Sequence, residues 1–495
     1  MYSNSEAIID AVSELIDTLL QLDEREANIS QGISIATTLM NGVMSDAVNP
    51  LLVAQQITGE NDTMRPRILS EFVTAVGLQR FRFSERQIKG DVSVCRCLAR
   101  TAAVVLTYAK DLIETGALEG SPDGLVDLLM KAAVHPSVYI CGTAIEALSQ
   151  LTPSSSELST KLLPLLQGKA IIPFHLMSDN EGLGEYINFR ERVLADGLIG
   201  CYIGCNTFFL DSCTSAVQEF CEASPSAHLP YQLEAALFCM VAVAEKATKT
   251  AKQSAFCTQL ETMLSALAKS PSATSSHPLV MMKACRFVNE YASVLPLCNT
   301  TSAFEIASEL AINSFNRDSS DFGSLGSIGG KSLLSEAANA LQELLCSSPK
   351  LFSSPAALSA LENVWKASYA GKRVDIEERE VLCMGICDVL ISFPQDQWTT
   401  LVDNLARPVI ACLDIVLKEA SSIAEKVTDS FGSLLIRMSN EIRLLAAILH
   451  HFMRTETSDK AIDIHVRRNA IVPVLHNSWP VLTKVGENFG HQVVS

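Results

Sequence analysis

The sequence predicts an all-α fold made of stacked helical hairpins. Three observations carry this. Apolar residues recur at helical spacing in runs of about ten to twenty-five residues, separated by short breakers. The 495 residues are 48% hydrophobic but only 6% aromatic, and the alternating β-branched runs of half-buried strands are scarce. Finally, "QLEAALFCMVAVAEKA", Gln232 to Ala247, has ten residues without a charge between Glu234 and Glu245. A helix apolar nearly all round needs neighbours on most of its circumference.

The elements follow in order. Helices are expected over 5–22, 30–57 and 66–79, and then over 91–117, around "TAAVVLTYA". "GSPDG" at 120–124 closes that run and opens 123–133, and a turn at His135-Pro136 leads into 136–151. "TPSSS" at 152–156 precedes a helix over 156–176, followed by helices over 186–203 and 207–223. "ASPSAHLP" at 223–230 opens the apolar helix, 230–248, with 252–268 as its successor. "SPSATSSHP" at 270–278 leads to 276–296 and 302–315. "NRDSSDFGSLGSIGGK", 316–331, is glycine- and serine-rich and is expected as a flexible loop. Helices over 331–347, 355–369 and 374–392 come next; "FPQDQW" at 393–398 introduces 396–420, 424–453 and 463–487. No convincing strand is found. Helix pairs recur about every 35 to 50 residues, the spacing of HEAT or armadillo hairpins, and predict an α-α superhelical solenoid of about nine hairpins. In such a stack an inner helix touches its own partner and both neighbouring hairpins, which explains the apolar one.

Composition narrows the function. The net charge of −17 disfavours nucleic acid or an anionic membrane as the main ligand and suits a basic protein partner, although the same charge also serves solubility alone. The ten uncharged residues fall short of the ~20 needed to span a membrane. The longer apolar stretch from Gly197 to Leu210 is interrupted by glycines, cysteines and Asn206. The opening "MYSNSEAIIDAVSELIDTLL" carries acids where a secretory signal carries bases. With that reading, fifteen cysteines indicate a reducing compartment, and those inside apolar runs, such as Cys239, Cys285 and Cys412, read as small core residues.

No motif supports an enzyme, a cofactor or a metal. "GSLGSIGGKS" at 323–332 resembles a phosphate-binding loop, but Leu325 stands where the motif needs glycine and no strand precedes it. "DFG" at 321–323 lacks the companion motifs of a kinase. Cys95/Cys97, Cys201/Cys205 and Cys383/Cys387 are close pairs without the paired knuckles of a zinc site. His450 and His451 adjoin on a helix and point in different directions. "RFRFSERQIK" at 80–89 mixes arginine with phenylalanine, which nucleic acid could use, but a solvated helix or loop is the simpler reading on so acidic a chain.

From Val92 onward several segments together resemble one family. They are "VCRCLARTAAVVLTYAKDLIE" at 94–114, "HPSVYICGTAIEAL" at 135–148, and an acidic loop, "SDNEGLGEY", leading into "NFRERVLADGLI" at 188–199. They continue with "YQLEAALFCMVAVAEKA", "SLLSEAANALQELL" at 332–345, "FPQDQWTTLVDNLARPVIACLDIVL" at 393–417 and "SWPVLTKVGENFG" at 478–490. Their order is similar to the middle of an importin-β (karyopherin-β) nuclear transport receptor, within the transportin-SR and importin thirteen branch. The resemblance implies a monomeric receptor that shuttles between nucleus and cytoplasm. It would bind nucleoporins and carry basic or arginine-serine-rich protein cargo under control of the GTPase Ran. It implies no catalysis, no cofactor, no direct nucleic-acid binding and no membrane insertion. The alternative from another class is a static HEAT-repeat scaffold without Ran dependence. Residues 1–91 are expected as a helical segment that matches the family poorly, and 92–495 as the repeat solenoid. The family's arginine-rich helix would follow Ser495, so the expectation is a fragment, a shortened reading frame or a divergent relative. Candidate partner contacts are Asp179, Glu181 and Glu185 on the acidic loop, with a solvated loop as the simpler reading. Arg190 and Arg192 match the family segment and could instead pair with acids of a neighbouring repeat.

Overall fold

The structure is a computed structural model that describes residues 70, 73–74, 76–118, 121–224, 226–250, 254–270, 277–298, 301–317, 327–328, 331–369, 374–422, 429–453 and 461–493. The helices expected over 5–22 and 30–57, half of that over 66–79, and the DFG triplet lie outside these residues. The chain divides into two compact units, Met1–Cys213 and Thr214–Ser495. The described residues of both are predominantly α-helical, and the architecture is the all-α, HEAT-type solenoid that the sequence predicts.

In the first unit, α1 (Arg80–Ile88), α2 (Val92–Glu114), α3 (Asp123–Ala133) and α4 (Val138–Ser149) pack pairwise, α2 against α4 and α3 against both. Asp91 starts α2 by accepting a hydrogen bond from the Val94 N–H at 3.2 Å. Helix α5 (Ser156–Ala170) stops six residues before its predicted end. Pro173 forces the residue before it out of the helical region, and the chain resumes as a 3-10 turn, Phe174–Ser178.

Helix α6 (Asn180–Phe189), a π-helical turn (Arg190–Leu194) and α7 (Ala195–Glu222) then run on without a break. The loop expected between 203 and 207 is a kink inside α7, where Cys205 leaves the helical region at φ −148° and ψ 50°. The run Glu181–Glu222 is long and apolar enough to cross a membrane by length and composition, and half of its most apolar window is buried within the protein. Its glycines explain that character. A methyl group at Gly197 would meet Ile145, one at Gly200 would overlap Thr152, and one at Gly204 would overlap Thr152 and Ser159. The stripe lets α7 close onto α4, α5 and the turn between them.

The boundary between the units falls within α7. The second unit holds α8 (Leu229–Thr250), α9 (Ser254–Lys269), α10 (Pro278–Tyr291), α11 (Thr301–Phe315), α12 (Leu333–Ser347), α13 (Pro355–Ala367), α14 (Ile376–Ile391), α15 (Trp398–Ser422), α16 (Asp429–Met453) and α17 (Ala461–Val493). They form two rows. In one, α8, α10, α12, α14 and α16 each pack on the next member; in the other, α9 packs on α11, and α13 and α17 both pack on α15. Rungs such as α11 on α12 and α15 on α16 join the rows. The apolar helix is therefore an inner member: residues 233–241 of α8 are all buried. Glu234, 2% exposed, meets Lys283 of α10 at 3.6 Å, and that ammonium lies 5.1 Å from the centre of the Phe238 ring.

One expectation needs correction. A two-residue antiparallel pair, Ser327–Ile328 (β1) with Lys331–Ser332 (β2), closes the segment expected as a plain loop. Ser332 then caps α12 through the Ser335 N–H at 3.0 Å. Two-residue strands leave no periodicity for a sequence to show.

Candidate functional site

The segment expected as an acidic loop is the start of a helix. Asp179 accepts a hydrogen bond from the Gly182 N–H at 3.1 Å and caps α6, while Glu181 lies in its first turn. Both charges sit where the helix dipole favours them. Gly182 and Gly184 hide this helix from a propensity reading. Asp179, Glu181 and Glu185 are all exposed. Glu181 and Glu185 stand one turn apart on one face, an arrangement of like charges that disfavours the isolated helix by ~0.2–0.5 kcal/mol and that a cation would relieve. Beside them Phe174 is 59% exposed.

The helix that carries these acids is firmly held. Tyr186 donates to the Lys169 carbonyl at 2.6 Å and lies 3.2 Å from that of Ile171. Lys169 in turn donates to the His135 carbonyl at 2.7 Å. Phe189 stacks at a tilt on Tyr186, with ring centres 5.7 Å apart, and closes against Gly142 of α4. Arg190, in the π turn, is 4% exposed, so it lies among the packed helices; Arg192 is exposed. The exposed charged members of the predicted set are thus Asp179, Glu181, Glu185 and Arg192.

The other motifs resolve into packing. Burial first, then the carboxylate of Asp91, pushes the Cys95 thiol up to about 11. Burial pushes Cys201 up to about 12. Cys383 is raised well above the ordinary range, first by its hydrogen bond with Cys387 and then by burial. Such thiols stay protonated and unreactive at neutral pH. Among the described residues, no three histidines, cysteines or carboxylates are grouped to hold a metal. His135 is buried, and its Nδ1 accepts the Ser137 N–H at 3.0 Å, as befits a helix-joining turn. Burial and then Lys169 hold its pKa below the ordinary 6.5.

One feature escaped the sequence reading. An apolar pocket of about 140 Å³ opens between α13, α14 and α15, floored by Leu361, Trp365, Ile386, Leu390, Leu401 and Leu405 and edged by Glu362, Lys366 and Arg407. Pro408 lies inside α15, and the Trp365 indole donates to the Leu405 carbonyl at 2.9 Å. A proline has no N–H for the helix ladder and crowds the carbonyls one turn back. The signal was "NLARPVIACL", a proline within an otherwise helical run.

No protein-family model and no curated protein sequence matches the chain. Solved structures do. A structure described as importin13 in its cytosolic state aligns at TM-score 0.57 and 12% identity, over 99% of this chain and 54% of that one. Kap121p bound to Pho4p aligns at TM-score 0.51 and 12% identity, over 97% of this chain and 46% of that one. The chain therefore spans about half the length of these two proteins. At such identity the likeness is one of fold.

Proposed function

We propose that this chain is a nuclear transport receptor of the importin-β kind, of the transportin-SR and importin thirteen branch. It binds basic or arginine-serine-rich protein cargo, exchanges it under control of Ran, meets nucleoporins in transit and shuttles as a monomer between cytoplasm and nucleus. The observation that carries the reading is the importin13 overlay, which runs over 99% of the chain. The mechanism is differential binding: cargo and Ran prefer different arrangements of the same stack, so one displaces the other. No bond is made or broken.

Cargo would engage Asp179, Glu181 and Glu185, whose exposed carboxylates α6 presents on a firm base. Arginine side chains would relieve the repulsion between the two glutamates and fork onto their oxygens. The apolar pocket lined by Trp365 would take an aromatic side chain of a nucleoporin. The test is retention of a fluorescent arginine-serine peptide on the immobilised chain. The reading predicts micromolar binding that falls at least about tenfold in Glu181→Gln/Glu185→Gln with unchanged thermal stability. Binding that ignores both substitutions would overturn the assignment of this face.

A further inference from the structure

A second surface has the opposite character. Around α1 the charges lean basic, Arg80, Arg82, Arg86, Lys89 and the neighbouring Lys131 against Glu85, Asp91 and Asp127, on a chain whose net charge is −17. Within it, α1 turns apolar side chains outward. Phe81 is 65% and Ile88 87% exposed, and their spacing of seven places them on one face with Glu85 between. Leu78, in the helical turn just before, is 43% exposed, and Val92, just past the left-handed Gly90 at φ 70°, is 51% exposed. A helix ordinarily buries such a face.

Cations border it. The Arg80 guanidinium lies 4.5 Å and the Lys131 ammonium 5.7 Å from the centre of the Phe81 ring. Asp127 serves both, at 3.6 Å from Arg80 and 3.2 Å from Lys131. One carboxylate between two cations leaves positive charge over. Asp91 pairs with Arg86 at 3.5 Å, and Glu85 with Lys89 at 2.5 Å, the latter pair fully at the surface. Exposed pairs of this kind exchange partners at little cost.

We propose that this face docks an acidic amphipathic helix of a partner protein. Its apolar side would rest on Leu78, Phe81 and Ile88, and its carboxylates would face Arg80, Lys89 and Lys131. The charge of the patch selects an acidic occupant, and the row of apolar side chains along α1 selects one with a matching stripe. Single-stranded nucleic acid fits less well, because Phe81 is the one exposed ring of α1 and successive bases need several such stacking platforms. An anionic membrane would attract the patch but repel the rest of so acidic a chain. The face is short, so the affinity belongs in the micromolar range of small transient interfaces. This surface is independent of the acidic residues of α6, and its test is separate.

The probe is a labelled helix-forming peptide of about eighteen residues, leucines at helical spacing on one side and glutamates on the other, read by fluorescence anisotropy against the full chain. Saturable binding is expected that weakens with salt and is at least about tenfold weaker when glutamine replaces glutamate in the peptide. Phe81→Ser/Ile88→Ser should weaken it at least about tenfold with an unchanged unfolding midpoint, because both side chains are exposed. Should that variant unfold, Lys89→Glu/Lys131→Glu decides: it should lose the acidic peptide and gain the corresponding lysine peptide. Absence of saturable binding, equal binding by the variants, or preference for oligouridylate or for phosphatidylserine vesicles would overturn the proposal.

Discussion

At the scale of the residue, the close packing of α7 gives the sharpest expectation. An added methyl at Gly204 would overlap the Thr152 carbonyl and the Ser159 hydroxyl. Gly204→Ala should lower the stability of the first unit by ~1–3 kcal/mol, read as a shift in the denaturant midpoint, whereas Gly184→Ala, with open space around it, should not lower it. A buried histidine, His135, and a half-buried one, His277, give a pH dependence. Burial is the main reason that His135 and His277 have pKa values below the ordinary 6.5; Glu234 partly opposes it at His277. Each group binds protons less readily folded than unfolded, so its contribution is complete above pH 6.5 and declines as pH falls through the lowered folded value. Unfolding midpoints should therefore fall between about pH 7.5 and pH 5.5, and His135→Asn, which keeps an acceptor for the Ser137 N–H, should flatten the profile of the first unit. Thiols of the core add nothing here, since Cys201 stays protonated to about 12.

At the scale of the element, two devices hold the second unit's rows together. Arg379 of α14 meets Glu441 of α16 at 2.6 Å, with both side chains largely buried, and lies 5.0 Å from the centre of the Tyr369 ring. Arg379→Met alone should destabilise by ~3–5 kcal/mol, because it strands a buried carboxylate; Arg379→Met/Glu441→Leu should recover most of that. Trp365 bridges α13 to α15, and Trp365→Phe should cost about 1 kcal/mol for the lost hydrogen bond to Leu405. The helices themselves were largely legible in the sequence. The expected 123–133 is α3, Asp123–Ala133, and the apolar run at 230–248 is α8, Leu229–Thr250. What escaped was context. The acidic stretch expected as a loop holds Gly182 and Gly184, but the cap from Asp179 and the Tyr186 anchor outweigh their poor helix propensity. The break expected between 203 and 207 is only a kink of α7 at Cys205. The burial of Arg190 and the pocket beside Trp365 depend on which helices meet, which no local pattern encodes.

At the scale of the molecule, hairpins that repeat in pattern rather than in letters explain why the fold is recognised where no family model is. Stacking needs apolar inner faces and short breakers, and many sequences meet that need. On the proposed reading the exposed charges choose the partners, acidic on α6 and basic along α1. On the proposed reading, partner binding by this stack answers to Ran. The most direct measurement immobilises the chain, loads a basic cargo protein and challenges it with Ran carrying GTP or GDP. The receptor reading predicts that Ran-GTP releases the cargo and Ran-GDP leaves it bound. Cargo retained equally under both nucleotides would contradict that reading and leave a static scaffold in its place.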